Sequence, residues 1–454
     1  MDDIAADARG GGSTLNRHSC LWKNLARKLA FTPDHRRPSR QGEKQRVLTM
    51  NKHNAAQAGT QHDQQPERRA FRLLVTGGGT GGHTYPALTT IRTLQARLTD
   101  QGRTVEVLWV GSAAGLEARV TTDQGIPFQA VATGKIRRAR SPLKMLSRAN
   151  LTDMARIPLG VVQARSAVAR FRPDVVLATG GYVAVPVGVA ARGCGRPLVI
   201  HEQTLRLGLA NRVLARLAAR VAVSSESTLP LLSPATRKRA VATGNPVRAE
   251  VLTGDADRAV KALGVQGFDN ALPTVYVTGG AQGARQINEL VSAILPWLLE
   301  RANVVHQCGT AAIEAQRECA AGLPADLAAR YLPVDFIGAE LPDVFALADV
   351  IISRSGAGTI AEVTALGMAA VFIPLASSAG GEQAHNARHL ADQGAAAALL
   401  GTDVTAADLR DAVAPLLADP QRRRTMADLA RALGKPDAAD RLVDVVLDAA
   451  RERR

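Results

Sequence analysis

Two glycine-dense turns, each preceded by a β-branched run and followed by a helical pattern, restrict what this chain of 454 residues can fold into more than any other feature. The first is Gly77-Gly78-Gly79-Thr80-Gly81-Gly82-His83, after an apolar run at 71–75 and before a helical pattern over 87–98. Pro86 is expected in the first turn of that helix, where its missing N–H has no partner to lose. The second is Gly279-Gly280-Ala281-Gln282-Gly283-Ala284-Arg285, between a strand at 274–278 and a helix at 286–299. Glycine lets the backbone turn tightly and approach a ligand, and the unpaired amides at a helix start point at negative oxygens. Each turn therefore predicts an anion seat at the end of a parallel strand.

The first turn also matches G-x-G-x-x-G through Gly77, Gly79 and Gly82, a dinucleotide signature that is weak alone. A nicotinamide site wants a carboxylate about 20 residues on, at the end of the second strand, to hold a ribose. The second strand, expected at 105–110, ends in Gly111-Ser112 instead, which argues against an oxidoreductase. Further strand-like runs at 128–133, 175–179, 198–201 and 221–223 alternate with helical patterns. Runs at 304–307, 334–337, 350–353 and 370–373 do the same after the second turn. The expected fold class is α/β, with two Rossmann-like doubly wound domains facing across a cleft. Residues 1–70 lack sustained periodicity and read as a disordered basic extension. The first domain is expected over 71–246, the second over 247–435, and a closing helix over 436–454 packed across both.

Hydrophobic content of 46% with 21% charged residues is that of a soluble globular protein. Cys20, Cys194, Cys308 and Cys319 are widely spaced, with no C-x-x-C, and read as reduced cytoplasmic thiols. No apolar run approaches ~18 residues, so no transmembrane helix is expected, and no signal-peptide pattern occurs. Residues 1–70 carry an excess of six positive charges and residues 135–172 an excess of nine, together the whole formal net charge of +15. So local an excess points to an anionic lipid surface rather than to nucleic acid.

A third turn carries the most specific chemistry. Arg354-Ser355-Gly356-Ala357-Gly358-Thr359-Ile360-Ala361-Glu362 follows a strand and opens a helix. Its amides would hold a diphosphate, and Glu362, one turn in, would accept from ribose hydroxyls. A helix dipole and an arginine offset leaving-diphosphate charge without a metal. The D-x-D at Asp255-Ala256-Asp257 falls between the domains, so no metal site is predicted.

Taken in order with Gly180-Gly181-Tyr182-Val183, His201-Glu202-Gln203, Gly244-Asn245-Pro246-Val247-Arg248 and Gln383-x-x-Asn386-Ala387, these turns resemble one family over about residues 71–449. It is the MurG family, the undecaprenyl-diphospho-muramoylpentapeptide β-N-acetylglucosaminyltransferases of glycosyltransferase family 28, in the two-domain GT-B superfamily. The resemblance implies transfer of GlcNAc, with inversion, from UDP-GlcNAc to the C4 hydroxyl of the MurNAc-pentapeptide of lipid I, giving lipid II. It implies no cofactor, and an enzyme peripheral on the cytoplasmic face of the plasma membrane. His83 would be the base, imidazole being the side chain that ordinarily titrates near neutral pH.

By the same resemblance, Thr80, Gly81, Gly82, Tyr182, Glu202 and Thr204 would serve the lipid acceptor and its diphosphate. UDP-GlcNAc would meet Arg248, Gly280, Ala281, Gln282, Ile337, Arg354, Gly356, Ala357, Gly358, Thr359, Glu362, Gln383 and Asn386. Of these, Ile337 would present its backbone to uracil. Arg137, Arg138, Arg140, Leu143, Lys144 and Leu146 would dock on the membrane, apolar side chains entering the headgroup layer while the basic ones meet anionic lipids. The chain departs from the family pattern at Ala281 (usually Ser), Thr204 (Asn), Ala184-Val185 (Ser-Gly) and Glu382 (Gln or His). Because these fall on sugar and acceptor contacts, they bear on which substrates fit. Three other readings stay open at this point: a transferase acting on another lipid or natural-product acceptor, a UDP-GlcNAc 2-epimerase, and a nucleotide-sugar-binding regulator without turnover.

Overall fold

The computed structural model describes residues 69–134, 148–378 and 381–452, with 148–155 as backbone only. Residues 1–68 of the extension expected over 1–70, and the docking residues Arg137, Arg138, Arg140, Leu143, Lys144 and Leu146, lie outside the described residues.

Two all-parallel sheets form the frame. The first contains β1 (Phe71–Thr76), β2 (Val105–Gly111), β3 (Phe128–Ala130), β4 (Val175–Ala178), β5 (Leu198–Glu202), β6 (Arg220–Val223) and β7 (Ala240–Ala242). The second contains β8 (Thr274–Thr278), β9 (Asn303–Gln307), β10 (Tyr331–Val334), β11 (Val350–Ser353), β12 (Ala369–Phe372) and β13 (Ala397–Ala398). Their orders, β3-β2-β1-β4-β5-β6-β7 and β10-β9-β8-β11-β12-β13, both reverse direction beside the strand that opens the lobe. At such a switch point the connections leave to opposite faces and a crevice opens at the carboxyl ends of the strands. Both glycine turns therefore sit in a crevice, after β1 and after β8.

The central strands are covered on both faces and so read as unbroken apolar runs. In β1 the pleat sends Leu74 into a core with Val176, Ile200 and Val187, while Leu73 and Val75 join Ile91, Leu94 and Trp109 on the other face. The second sheet is covered in the same way, with Val275 and Val277 on one side and Tyr276 on the other.

The structure corrects several expectations. The helix after the first glycine turn is Gly81–Thr99, so it begins before His83, and Pro86 lies inside it. Lacking an N–H, Pro86 leaves the Gly82 carbonyl without its helical partner. The strand expected at 334–337 is β10, three residues earlier; Pro333 fits there because β10 is an edge strand and one side of it needs no donor. The strands β7 and β13, two or three residues long, were not foreseen. The last helix, Ala438–Arg451, buries Leu442, Val443, Val446 and Ala449 in the first lobe's core instead of bridging both lobes. It is the preceding helix, Pro420–Leu433, that packs on the second lobe, against Ala357–Leu366 and β12.

Candidate active site

In the first lobe the glycine turn is built around a buried carboxylate. Glu117, fully buried at the start of the helix Leu116–Asp123, accepts from the Gly79 amide and the Ser112 amide, each at 3.0 Å. A Cβ at Gly78 or Gly115 would stand 2.2 Å from the Glu117 carboxyl carbon, so glycine is needed at both. The turn thus carries an internal anion, and the amide of Gly79, which a dinucleotide phosphate would want, is already occupied. Thr80, without a side-chain cap bond, precedes the helix start at Gly81 and Gly82, and no acidic residue stands in the first turn. That end of the helix keeps its attraction for an external anion. Tyr182 stands beside the same turn, its ring edge 3.4 Å from a Cβ placed on Gly79.

His83 projects from the first turn of this helix, partly buried, with Nδ1 2.9 Å from Gln203 Oε1. Gly180, at φ +106°, lies against its ring; a Cβ there would come within 3.1 Å of His83 Cε1 and Nδ1. Behind it, Gln203 Nε2 donates to His201 Nδ1 at 3.0 Å, and His201 Nε2 lies 2.9 Å from the Gly244 carbonyl. Burial pushes the His201 imidazole down to about 4, the Gly244 bond only partly opposing it.

Glu202 and Thr204, expected to touch the acceptor, have a different part here. Glu202 is 2% exposed and accepts from Thr204 N, Thr204 Oγ1, Gly208 N and Asn211 Nδ2. With four donors on this carboxylate, the pair shapes the loop after β5.

The second lobe's crevice is a cavity of about 790 Å³. Among the expected donor residues it is lined by Arg248, Gly280, Ala281, Ile337, Arg354, Gly356, Thr359, Glu362 and Gln383, and Tyr85 of the first lobe reaches in as well. Gly280 (φ +90°), Gly356 and Gly358 have open space where a Cβ would stand, so a ligand can approach the backbone at all three. The helix Ala357–Leu366 begins without a side-chain cap and without an acidic residue in its first turn, leaving its amides directed at an anion. Glu362 pairs with Arg248 at 3.1 Å. Burial raises the Glu362 carboxyl above its ordinary value, with the Arg248 guanidinium opposing.

Other expected donor residues brace this wall. Arg354 Nη1 donates to Gln286 Oε1 and to the carbonyls of Ile373 and Pro374, and burial lowers its guanidinium from the usual range. Gln383 Oε1 accepts from Leu375 N at 2.9 Å. Asn386, 5% exposed, donates to the Ser355 carbonyl. With Ala357 it lines a separate cavity of about 110 Å³ at the crossing between lobes, where Asn245 Nδ2 donates to the Ala357 carbonyl. Gln282 and Gly358 line neither cavity. The Ile337 amide, expected to be offered to a base, is 3.3 Å from Gln307 Oε1.

Sequence reading missed Gln307 and Glu117. Gln307 joins Tyr276, Ile337 and the Gly280 carbonyl through three hydrogen bonds, which sets the shape of the second glycine turn. The only available signal was a polar residue ending an apolar strand. For Glu117 the signal was weaker still, a carboxylate near a glycine. Among the described residues no group of three or more His, Cys, Asp or Glu is arranged to hold a metal ion, and Asp255 of the D-x-D instead caps the helix Ala256–Ala262.

Comparison with known proteins agrees with this geometry. The glycosyltransferase family 28 N-terminal domain matches residues 73–223, and the family 28 C-terminal domain matches residues 274–442. A relative in Desulforudis audaxviator, a UDP-N-acetylglucosamine–N-acetylmuramyl-(pentapeptide) pyrophosphoryl-undecaprenol N-acetylglucosamine transferase, is 36% identical over 382 residues, 83% of this chain and 98% of the relative. One of the same name in Listeria monocytogenes is 34% identical over 378 residues, 83% of this chain and 99% of the relative. Among solved structures, Acinetobacter baumannii MurG is similar with a TM-score of 0.64 at 29% identity, covering 83% of this chain and 99% of that one. The UDP-GlcNAc 2-epimerase of Neisseria meningitidis shares the fold alone, with a TM-score of 0.55 at 16% identity, covering 83% of this chain and 99% of that one. With both domains of the family matched in order around the two crevices, and relatives above 30% identity matched over nearly their whole length, the chain belongs to the MurG family of glycosyltransferase family 28.

Proposed function

We propose that this chain transfers GlcNAc from UDP-GlcNAc to the C4 hydroxyl of the MurNAc-pentapeptide of lipid I, forming lipid II, while peripheral on the cytoplasmic face of the plasma membrane. The observation that carries the reading is the joint wall of the larger cavity. Arg248, Arg354, Glu362, Gly280 and Gly356 of the second lobe meet Tyr85, which stands on the same helix as His83. A UDP-sugar in that cavity sets its diphosphate against the amides that begin the helix Ala357–Leu366. Its ribose lies near Glu362, and its anomeric carbon turns toward the first lobe.

In this mechanism His83 accepts the proton of the C4 hydroxyl as that oxygen forms a bond to the anomeric carbon. The bond from that carbon to the phosphate oxygen breaks on the opposite face, which inverts the centre and releases UDP. Helix-start amides and Arg248 stabilise the charge that develops on the leaving diphosphate; donors fixed in advance of the reaction are worth most there. When UDP-GlcNAc supplies the ribose hydroxyls, Glu362 exchanges its bond to Arg248 for them. The acceptor diphosphate takes the open helix end at Gly81 and Gly82.

Incubation of the purified chain with UDP-GlcNAc and a short-chain lipid I analogue tests the proposal. Disaccharide product is the expected result. Conversion of UDP-GlcNAc without acceptor would replace the reading by an epimerase, and binding without product by a regulator.

A further inference from the structure

We propose that Gln203 is a positioning residue that holds the neutral His83 imidazole in the tautomer with hydrogen on Nδ1, leaving Nε2 as the basic nitrogen. The inference rests on the reading of His83 as base and adds which atom of it takes the proton. Hydrogen-bond logic fixes each link. His201 is fully buried and neutral, and its Nε2 faces the Gly244 carbonyl, which only accepts. The single N–H of His201 is therefore on Nε2, and its Nδ1 is an acceptor. Gln203 Nε2 lies 3.0 Å from that Nδ1 and 3.1 Å from the His201 carbonyl. A flipped amide would set its oxygen against two acceptors, so the amide orientation is determined. Gln203 Oε1 then points at His83 Nδ1, 2.9 Å away, and an amide oxygen only accepts. His83 must donate from Nδ1.

The far end of the chain is anchored where the backbone crosses between lobes. Gly244 is at φ +88°, and a Cβ there would come within 2.7 Å of Lys435 and Ala438 side-chain atoms, so its carbonyl has little freedom to move. Gly180 packs on the imidazole from another side. An amide suits this task better than a carboxylate. It accepts the same N–H whether His83 is neutral or protonated, and as an uncharged group it does not hold the proton once taken. His83 interacts electrostatically with His201 on β5 and with Glu382, which opens the second lobe's helix Glu382–Ala391; Glu202 acts on Glu382 in turn. Substitution at 203 leaves Glu382 and Glu202 in place but removes the donor on His201 Nδ1.

Two measurements test the assignment. Long-range proton–nitrogen NMR of the histidine-labelled protein, above the pH at which His83 protonates, reads the tautomers directly. Hydrogen on Nδ1 of His83 and on Nε2 of His201 is expected; hydrogen on Nε2 of His83 would overturn the proposal. In turnover assays, Gln203→Leu is expected to lower kcat by roughly 10²-fold or more, the scale of losing an oriented general base, with the KM for UDP-GlcNAc within about twofold. Gln203→Glu sets one oxygen on His83 Nδ1 and the other against His201 Nδ1, which draws hydrogen onto that nitrogen; it is expected to move the acid limb of the kcat profile upward by about one pH unit or more, as a carboxylate beside an imidazole does. A limb that stays in place, or a folded Gln203→Leu variant with full turnover, would sink the positioning role. Failure of the base reading looks different: His83→Ala would then keep both its rate and its acid limb, while the NMR tautomers stand as assigned.

Discussion

Replacing Glu117 by Gln probes the first lobe's glycine turn without changing its volume. The carboxylate is fully buried and accepts one backbone N–H on each oxygen, from Gly79 and from Ser112. Glutamine keeps one acceptor and turns an NH₂ toward the other amide, so one charge-assisted bond is lost and a buried donor is left facing a donor. A bond to a charged group contributes about 1.5–3 kcal/mol and an unsatisfied buried amide costs about 1–3 kcal/mol; these overlap, and a net loss of about 2–4 kcal/mol follows. At about 2–4 °C per kcal/mol for a domain of this size, the first lobe's transition should fall by about 5–15 °C. Trp109 supplies a local reporter, being buried in β2 with Nε1 on the Gly77 carbonyl at 3.2 Å. The KM for the lipid acceptor is expected to rise while UDP affinity by calorimetry stays within about twofold, because Glu117 does not line the second-lobe cavity. An unchanged melting temperature would refute the view that the turn is built on this anion. A parallel loss of UDP affinity would refute its confinement to the acceptor side.

The remaining expectations concern both lobes. His83→Ala should lower kcat by about 10²–10⁴-fold with UDP affinity unchanged, and an unaltered rate would remove it as base. Glu362→Gln should weaken UDP binding by about tenfold or more and spare uracil-only ligands, since it removes the charged partner of the ribose; calorimetry with UDP and with uracil separates the two. His201 and His306 are both held down to about 4 from 6.5, chiefly by burial. A depressed folded value means that their stabilisation is present above pH 6.5 and is lost as pH falls toward 4. Each should therefore contribute about 3 kcal/mol of acid destabilisation over that window. In urea denaturation at several pH values, His306→Gln should flatten that slope relative to the parent. Reversing Arg137, Arg138 and Arg140 to Glu should weaken binding to anionic vesicles, and equal partitioning would discard the docking face.

Much of the frame was legible because its signals are local. Strand, glycine turn and helix start are adjacent in sequence, so the ends of β1, β8 and β11 declared themselves, and with them Gly81, Gly280, Gly356 and Glu362. Boundaries were read less well where a local rule met a tertiary exception. Pro86 marks a helix start by propensity but sits inside one, and Pro333 argues against a strand except at an edge. Residues assigned by resemblance divide in the structure: Glu362 and Arg248 line the cavity, whereas Glu202, Thr204 and Asn386 spend their polar atoms on loops.

By itself the sequence determined that two parallel sheets would each present an uncapped, glycine-lined helix end, because backbone geometry within a few residues decides that. Only the tertiary structure decided which polar side chains face a ligand and which face one another. Glu117 meets the amide of Gly79 across 38 positions, and His83 meets Gln203 across 120. No periodicity spans such gaps. The partners are chosen by the order in which the strands lie, and that order sets the direction in which a hydrogen on one imidazole must point.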